Sequence, residues 1–152
     1  MLLIFDEWLY HDLLGGENRL GAVQFIFALS ETKDQIIILK NSPFHKKWRE
    51  LIDNSPLSDS PQKMIRGMLL TGFELDPDKI VYFEDSDIKN IKIPRKIKVK
   101  PDDAYLVKLA LLKREAILIT TDTPLFSGLK SIKVNVVMRD DFIKSYTVKK
   151  IT

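Results

Sequence analysis

The sequence predicts a single α/β domain over residues 1–152, built as three α/β/α layers around a central, mostly parallel sheet. Three observations lead there. Short, mostly apolar runs recur along the chain at Leu2–Phe5, 36–39, Ile80–Phe83, 116–120 and 134–138, and the first, uniformly apolar, has the pattern of a strand covered on both faces. Between them the apolar spacing switches to the helical period, and strands that alternate with helices favour a parallel sheet with right-handed crossovers. The length of 152 residues suits one core, and no repeat, low-complexity tract or linker divides it.

The first strand, Leu2–Phe5, ends at Asp6. After Gly15-Gly16, residues 17–32 carry Leu20, Val23, Phe27 and Ala28 at helical spacing. A second strand follows at 36–39. Ser42-Pro43 resembles an N-cap with proline at the first helical position, opening a helix through Trp48, Leu51 and Ile52 that stops before the polar stretch 54–60. Residues 62–70 form another short helix, and Ile80–Phe83 a strand that meets Glu84 and Asp85. The segment 85–100 carries no clear pattern. Asp102 or Asp103 then opens a helix through Leu106, Val107, Ala110 and Leu111, followed by a strand at 116–120. A short helix at 123–129, a strand at 134–138 and a terminal helical turn at 140–144 complete the order.

Composition removes several chemistries. With no cysteine, the chain has no disulfide, zinc thiolate or cysteine nucleophile, so any metal must be held by oxygen or by His11 and His45. The opening residues Met1 to Phe5 run into Asp6 and Glu7, without the basic start of a signal peptide, and no apolar run approaches the roughly 20 residues of a membrane span. A cytoplasmic protein without a membrane partner is expected. The net charge is +3, yet Lys89, Lys92, Arg95, Lys96, Lys98 and Lys100 crowd into one stretch before Asp102. Such a block either meets phosphates or forms a solvated edge.

Three acids occupy positions that this topology brings together: Asp6 after strand one, Asp103 at a helix start, and Asp122 after the strand returning from that helix. A helix of about ten residues descends roughly 15 Å, and about five strand residues climb roughly 16 Å back, so Asp122 returns to the level of Asp103. That level is the carboxyl edge of the sheet, where α/β proteins bind ligands at the switch in strand order. Crowded carboxylates repel, and a divalent cation compensates them; magnesium or manganese suits an all-oxygen set. Phosphodiester hydrolysis is the chemistry such an ion supports, with Thr121 beside Asp122 placed to hold a water or a carboxylate.

The run Asp102-Asp103-Ala104-Tyr105-Leu106-Val107-Lys108-Leu109-Ala110, followed by Ile117-Leu118-Ile119-Thr120-Thr121-Asp122, resembles the PIN-domain family of metal-dependent ribonucleases. Their pattern is an acid opening an apolar helix that contains Leu-Ala, then an apolar strand ending in Thr-x-Asp. The resemblance implies a PIN-like fold with Asp6, Asp103 and Asp122 as ligands of Mg2+ or Mn2+. It also implies an endoribonuclease acting on RNA; the basic block beside the acids then puts Lys96, Lys98 and Lys100, with Thr121, toward the nucleic acid. Size and motif order are similar to those of the VapC-like toxins of toxin–antitoxin pairs, which implies an antitoxin protein and a homodimer as further partners. Two positions depart from the pattern: Trp8 stands where Asn or Ser is common, and lysine stands where the helix from Ser42-Pro43 is expected to carry a catalytic glutamate.

Glu50, one turn further along that helix, is the substitute expected to complete the catalytic set, with Glu31, Glu84 and Asp85 as further candidates. Without such an acid, the expectation is a weakened or inactive PIN-like module that binds RNA or protein. Plainer roles remain open beside these: Asp102 or Asp103 as a simple helix cap, His11 and His45 as surface residues rather than an acid–base pair, and Trp8, Phe44 and Trp48 as core rather than base-stacking platforms. A receiver-like phosphoacceptor domain would use Asp6, Glu7 and Asp85, and would leave Asp103 and Asp122 unexplained.

Overall fold

The structure, a computed structural model, describes residues 1–53 and 60–151. The strands are β1 (Leu2–Phe5), β2 (Gln35–Leu39), β3 (Ile80–Phe83), β4 (Ile117–Thr120) and β5 (Val136–Met138). All neighbours pair in parallel, in the order β3-β2-β1-β4-β5. The helices are α1 (Trp8–Leu14), α2 (Arg19–Ser30), α3 (Pro43–Asp53), α4 (Ser60–Leu69), α5 (Asp85–Ile88), α6 (Ala104–Leu112), α7 (Thr123–Ser131) and α8 (Arg139–Ile151). A π-helical turn, Leu70–Glu74, extends α4, and a 3-10 turn, Pro101–Asp103, leads into α6.

Alternation along the strands splits the core in two, because successive side chains leave opposite faces of the sheet. Leu3, Phe5, Ile36, Ile38 and Ile119 point into one layer, filled by α1, α2, α3, α4 and α8. Ile4, Ile37, Leu39, Leu118 and Val136 point into the other, filled by α5, α6 and α7. Burial on both faces is why β1, β2 and β4 are mostly apolar, and it gives the expected α/β/α layering. Full burial of each large aliphatic or aromatic side chain contributes about 1.5–3 kcal/mol.

The expected tryptophan and phenylalanine core holds. Trp8, Phe44 and Trp48 are buried, and each indole finds an acceptor: Trp8 Nε1 donates to the Ile119 carbonyl at 2.9 Å and Trp48 Nε1 to Glu74 Oε1 at 2.6 Å. Among the described residues no helix is long and apolar enough to cross a membrane.

The chain also holds elements that periodicity did not reveal. Helix α1 spans only seven residues and buries Asp12 beside Trp8, Leu9 and Leu13, so a polar residue interrupts its apolar face. Helix α8 is 13 residues long rather than one turn; its inward residues Phe142 and Tyr146 are aromatic, set among charges. Between α5 and the 3-10 turn the basic segment has no regular structure, in keeping with its patternless sequence. The stop expected within 54–60 lies, for 54–59, outside the described residues.

Helix α2 allows a direct check of the layering. Phe25 is fully buried against Phe5, Phe142 and Tyr146, whereas Phe27, two residues on, is 58% exposed. Phe25→Ala should cost about 3–5 kcal/mol in urea unfolding, and Phe27→Ala should stay within about 0.5 kcal/mol. Equal losses would mean that α2 packs by another face.

Candidate active site at the carboxyl edge of the sheet

The strand order fixes where a cleft opens. From β1 the chain builds outward to β2 and β3, then returns past β1 to β4 and β5. The reversal lies between β1 and β4, and crossovers leaving in opposite directions open a crevice at the carboxyl ends of that pair. A cleft of about 520 Å³ lies there, lined by Asp6, Asp103 and Asp122 among others.

Register explains how the first and last of these are held. Phe5 pairs with Ile119, so the residues that follow, Asp6 and Thr120, leave the sheet side by side. Thr120 is fully buried and donates its hydroxyl to Asp6 Oδ2 at 2.6 Å, while its Oγ1 accepts the Asp122 amide at 3.0 Å. The other Asp6 oxygen accepts the Trp8 amide at 3.0 Å. Asp122 caps α7, its Oδ1 accepting the Leu125 amide at 2.9 Å. Asp103 precedes α6 but makes no capping hydrogen bond, so the plain role of an aspartate at a helix start does not account for it. Asp102 stands exposed on the same cleft.

The carboxylates feel one another. Burial pushes Asp6 above the usual aspartate range, against the pull of the Thr120 and Trp8 hydrogen bonds, and the charges of Asp103 and Asp122 add to the rise. Asp103 is raised by burial first and by Asp122 next, with Lys100 opposing. All donors here are carboxylate oxygens, the chemistry that hard divalent cations take. Each hydrogen-bonded oxygen of Asp6 and Asp122 retains a second lone pair, and no hydrogen bond among the described residues ties the Asp103 carboxylate. As the side chains lie, no three His, Asp or Glu among the described residues stand close enough to hold a metal ion. Binding one would require the carboxylates to turn inward.

Other expected residues distribute unevenly. Thr121 lines the cleft, exposed, because alternation along β4 turns Thr120 inward instead. Lys100 lines it too, and with Lys98 it also lines an adjoining groove of about 300 Å³ that shares Asp103 and Asp122. Lys96 lies in neither, and its Nζ donates to the Ser131 carbonyl at 3.3 Å.

Glu50 is not part of the cleft; it accepts the Tyr10 hydroxyl at 2.7 Å between α1 and α3. Glu31 lines a groove between α2 and α4, away from the acids. Glu84 and Asp85 sit with Lys40 at the end of edge strand β3, where Glu84 and Asp87 form the capping box of α5. That placement, two strands from β1, leaves Asp85 far from the position a receiver phosphoacceptor would need. His11 lines the cleft, whereas His45 accepts the Asn41 amide and packs on Tyr82.

Sequence reasoning gave none of four cleft or supporting residues the place it has here. Glu7, beside Asp6, brings another carboxylate to the cleft. Asp12 and Arg139 also line it and pair with each other at 3.2 Å. Thr120 is the fourth; only the register of β4 separates it from Thr121.

No family profile, curated protein or solved structure matches this chain. What fold and cleft define is a class: an all-parallel α/β/α protein with an acid-lined crevice at its topological switch point.

The raised acids carry a cost with a definite sign. A folded-state value above the unfolded one means that ionisation of Asp103 weakens the fold as pH rises through the carboxylate range. Asp103→Asn should therefore raise the melting temperature of the metal-free protein at pH 7, by on the order of 2 °C. The gain should vanish below about pH 4, where the carboxylate is protonated in both states. Thermal melts across pH read this directly; a destabilised variant at neutral pH would show that the carboxylate is held by a favourable contact instead.

Proposed function

We propose that this chain is a divalent-metal-dependent endoribonuclease of PIN type, hydrolysing RNA phosphodiester bonds with Mg2+ or Mn2+ held among Asp6, Asp103 and Asp122. One observation carries the proposal: acids from three distant parts of the sequence line a single cleft at the switch point of a parallel sheet. The raised values of Asp6 and Asp103 support it, since a cation would relieve the repulsion that the folded chain sustains without one.

An ion bound there would supply charge stabilisation and an activated water. The chain's own residues do the rest. Thr120 orients Asp6 by its hydroxyl and Asp122 through that residue's amide, so one buried side chain aligns two acids. Asp103, unheld, is the acid free to swing inward. Glu7, unlike Glu50, brings a further carboxylate to the cleft, alongside Asp12 and Asp102. Lys98 and Lys100 bring positive charge to the groove beside Asp103 and Asp122, where flanking phosphates of a strand would lie.

A second reading has its own support: the acids do not stand within common ligating reach, as a PIN-like module that binds RNA or protein without cutting it would have them.

Manganese-dependent cleavage of single-stranded RNA by the purified protein separates the two. The nuclease proposal expects activity abolished by EDTA and by Asp103→Asn, lowered about 10- to 100-fold by Thr120→Val, lowered by Glu7→Gln and little changed by Glu50→Gln. Cleavage that survives Asp103→Asn and EDTA together contradicts it. RNA binding without cleavage under any divalent metal favours the scaffold.

A further inference from the structure

Arg139 is a cation built into an acid-lined cleft, and its surroundings are specific. Met138, the last residue of β5, pairs with Thr120, so Arg139 leaves the sheet abreast of Thr121 and one strand over from the β4 end that carries Asp122. Its side chain is 19% exposed and lines the same cleft as the three acids. Two carboxylates fix it: Nε donates to Asp140 Oδ1 at 2.8 Å, and Nη1 to Asp12 Oδ2 at 3.2 Å. Asp12 is itself buried on α1, and burial raises it even against the pull of Arg139. The second terminal nitrogen, Nη2, makes no hydrogen bond among the described residues.

A charge needed only to neutralise Asp12 would not require a guanidinium. The planar guanidinium uses Nε for Asp140 and Nη1 for Asp12 and keeps the Nη2 donors for another anion, a geometry that an ammonium lacks. An anion entering this cleft meets repulsion from Asp6, Glu7, Asp102, Asp103 and Asp122, and Arg139 offsets it from the end of β5, with Lys100 lining the same cleft.

We propose that Arg139 is the phosphate-gripping residue of this cleft, holding through Nη2 a phosphate of the nucleic-acid strand next to the one at the acids, with Asp12 and Asp140 locking its orientation. The inference rests on the proposed function and deepens it by naming the group that sets the strand's position.

The test is binding rather than cleavage. A short fluorescein-labelled oligoribonucleotide is titrated by anisotropy in calcium in place of manganese at several salt concentrations, with its intact length checked on a gel afterwards. Arg139→Gln should weaken binding about tenfold, the ordinary worth of one charged hydrogen bond. It should also flatten the log–log salt slope by about 0.7, the share of one phosphate on a single strand. Arg139→Lys keeps the charge and should keep the slope while losing several-fold in affinity. Where Arg139→Gln does not fold, judged by circular dichroism, Arg139→Lys alone decides. A purely structural Arg139 would change the melting temperature and leave both slope and affinity as in the wild type, which overturns the inference while leaving the nuclease proposal standing. No binding by the wild type overturns both the inference and the nucleic-acid substrate, whereas manganese binding, measured separately, reports on the acids alone.

Discussion

Parallel pairing of β1 with β4 sets Phe5 abreast of Ile119, and the carboxyl edge takes its chemistry from that register. A slip by one residue would turn Thr120 away from Asp6 and exchange the two core faces of the strand, a change that the buried Leu118 and Ile119 forbid. The apolar layers therefore do more than hold the sheet together. They position a buried threonine so that its single hydroxyl serves Asp6 as donor and the Asp122 amide as acceptor.

The same packing keeps the acids at a cost. Desolvation dominates the rise in both Asp6 and Asp103, and mutual repulsion adds to it, so the cleft is stabilised by neither burial nor charge. Native folds retain such sites where function needs them, and offset the loss elsewhere in the core. Here two buried layers provide that offset. Arg139 and Lys100 bring the positive charge to an otherwise acidic wall, one fixed by Asp12 and the other at the mouth.

The layering and strand positions were legible because double burial writes itself as apolar runs, as in β1, which follows its run end to end; edge strand β3 matches its run too, though its residues are only partly covered. The placement of Asp6, Asp103 and Asp122 on one cleft followed from counting helix descent against strand rise. What stayed hidden depended on pairing that one chain's sequence does not display. Thr120 stands in the Thr-x-Asp pattern, but which of Thr120 and Thr121 turns inward is not decided until β4 is registered against its neighbours. Arg139 and Asp12 lie 127 residues apart in the chain and meet only because β5 lies next to β4 and α1 follows β1. Glu50 was misplaced for the complementary reason: helical spacing put it near the expected position of a glutamate, but α3 turns it toward Tyr10.

The central claim is that the three acids share a cation, and anomalous diffraction from manganese-soaked crystals tests it most directly. The account predicts one anomalous peak bridging carboxylate oxygens of Asp6, Asp103 and Asp122, at roughly the 2.0–2.3 Å of hard divalent coordination, with Asp103 turned inward. Manganese bound only elsewhere, or a cleft that stays without a peak at saturating manganese, would contradict it.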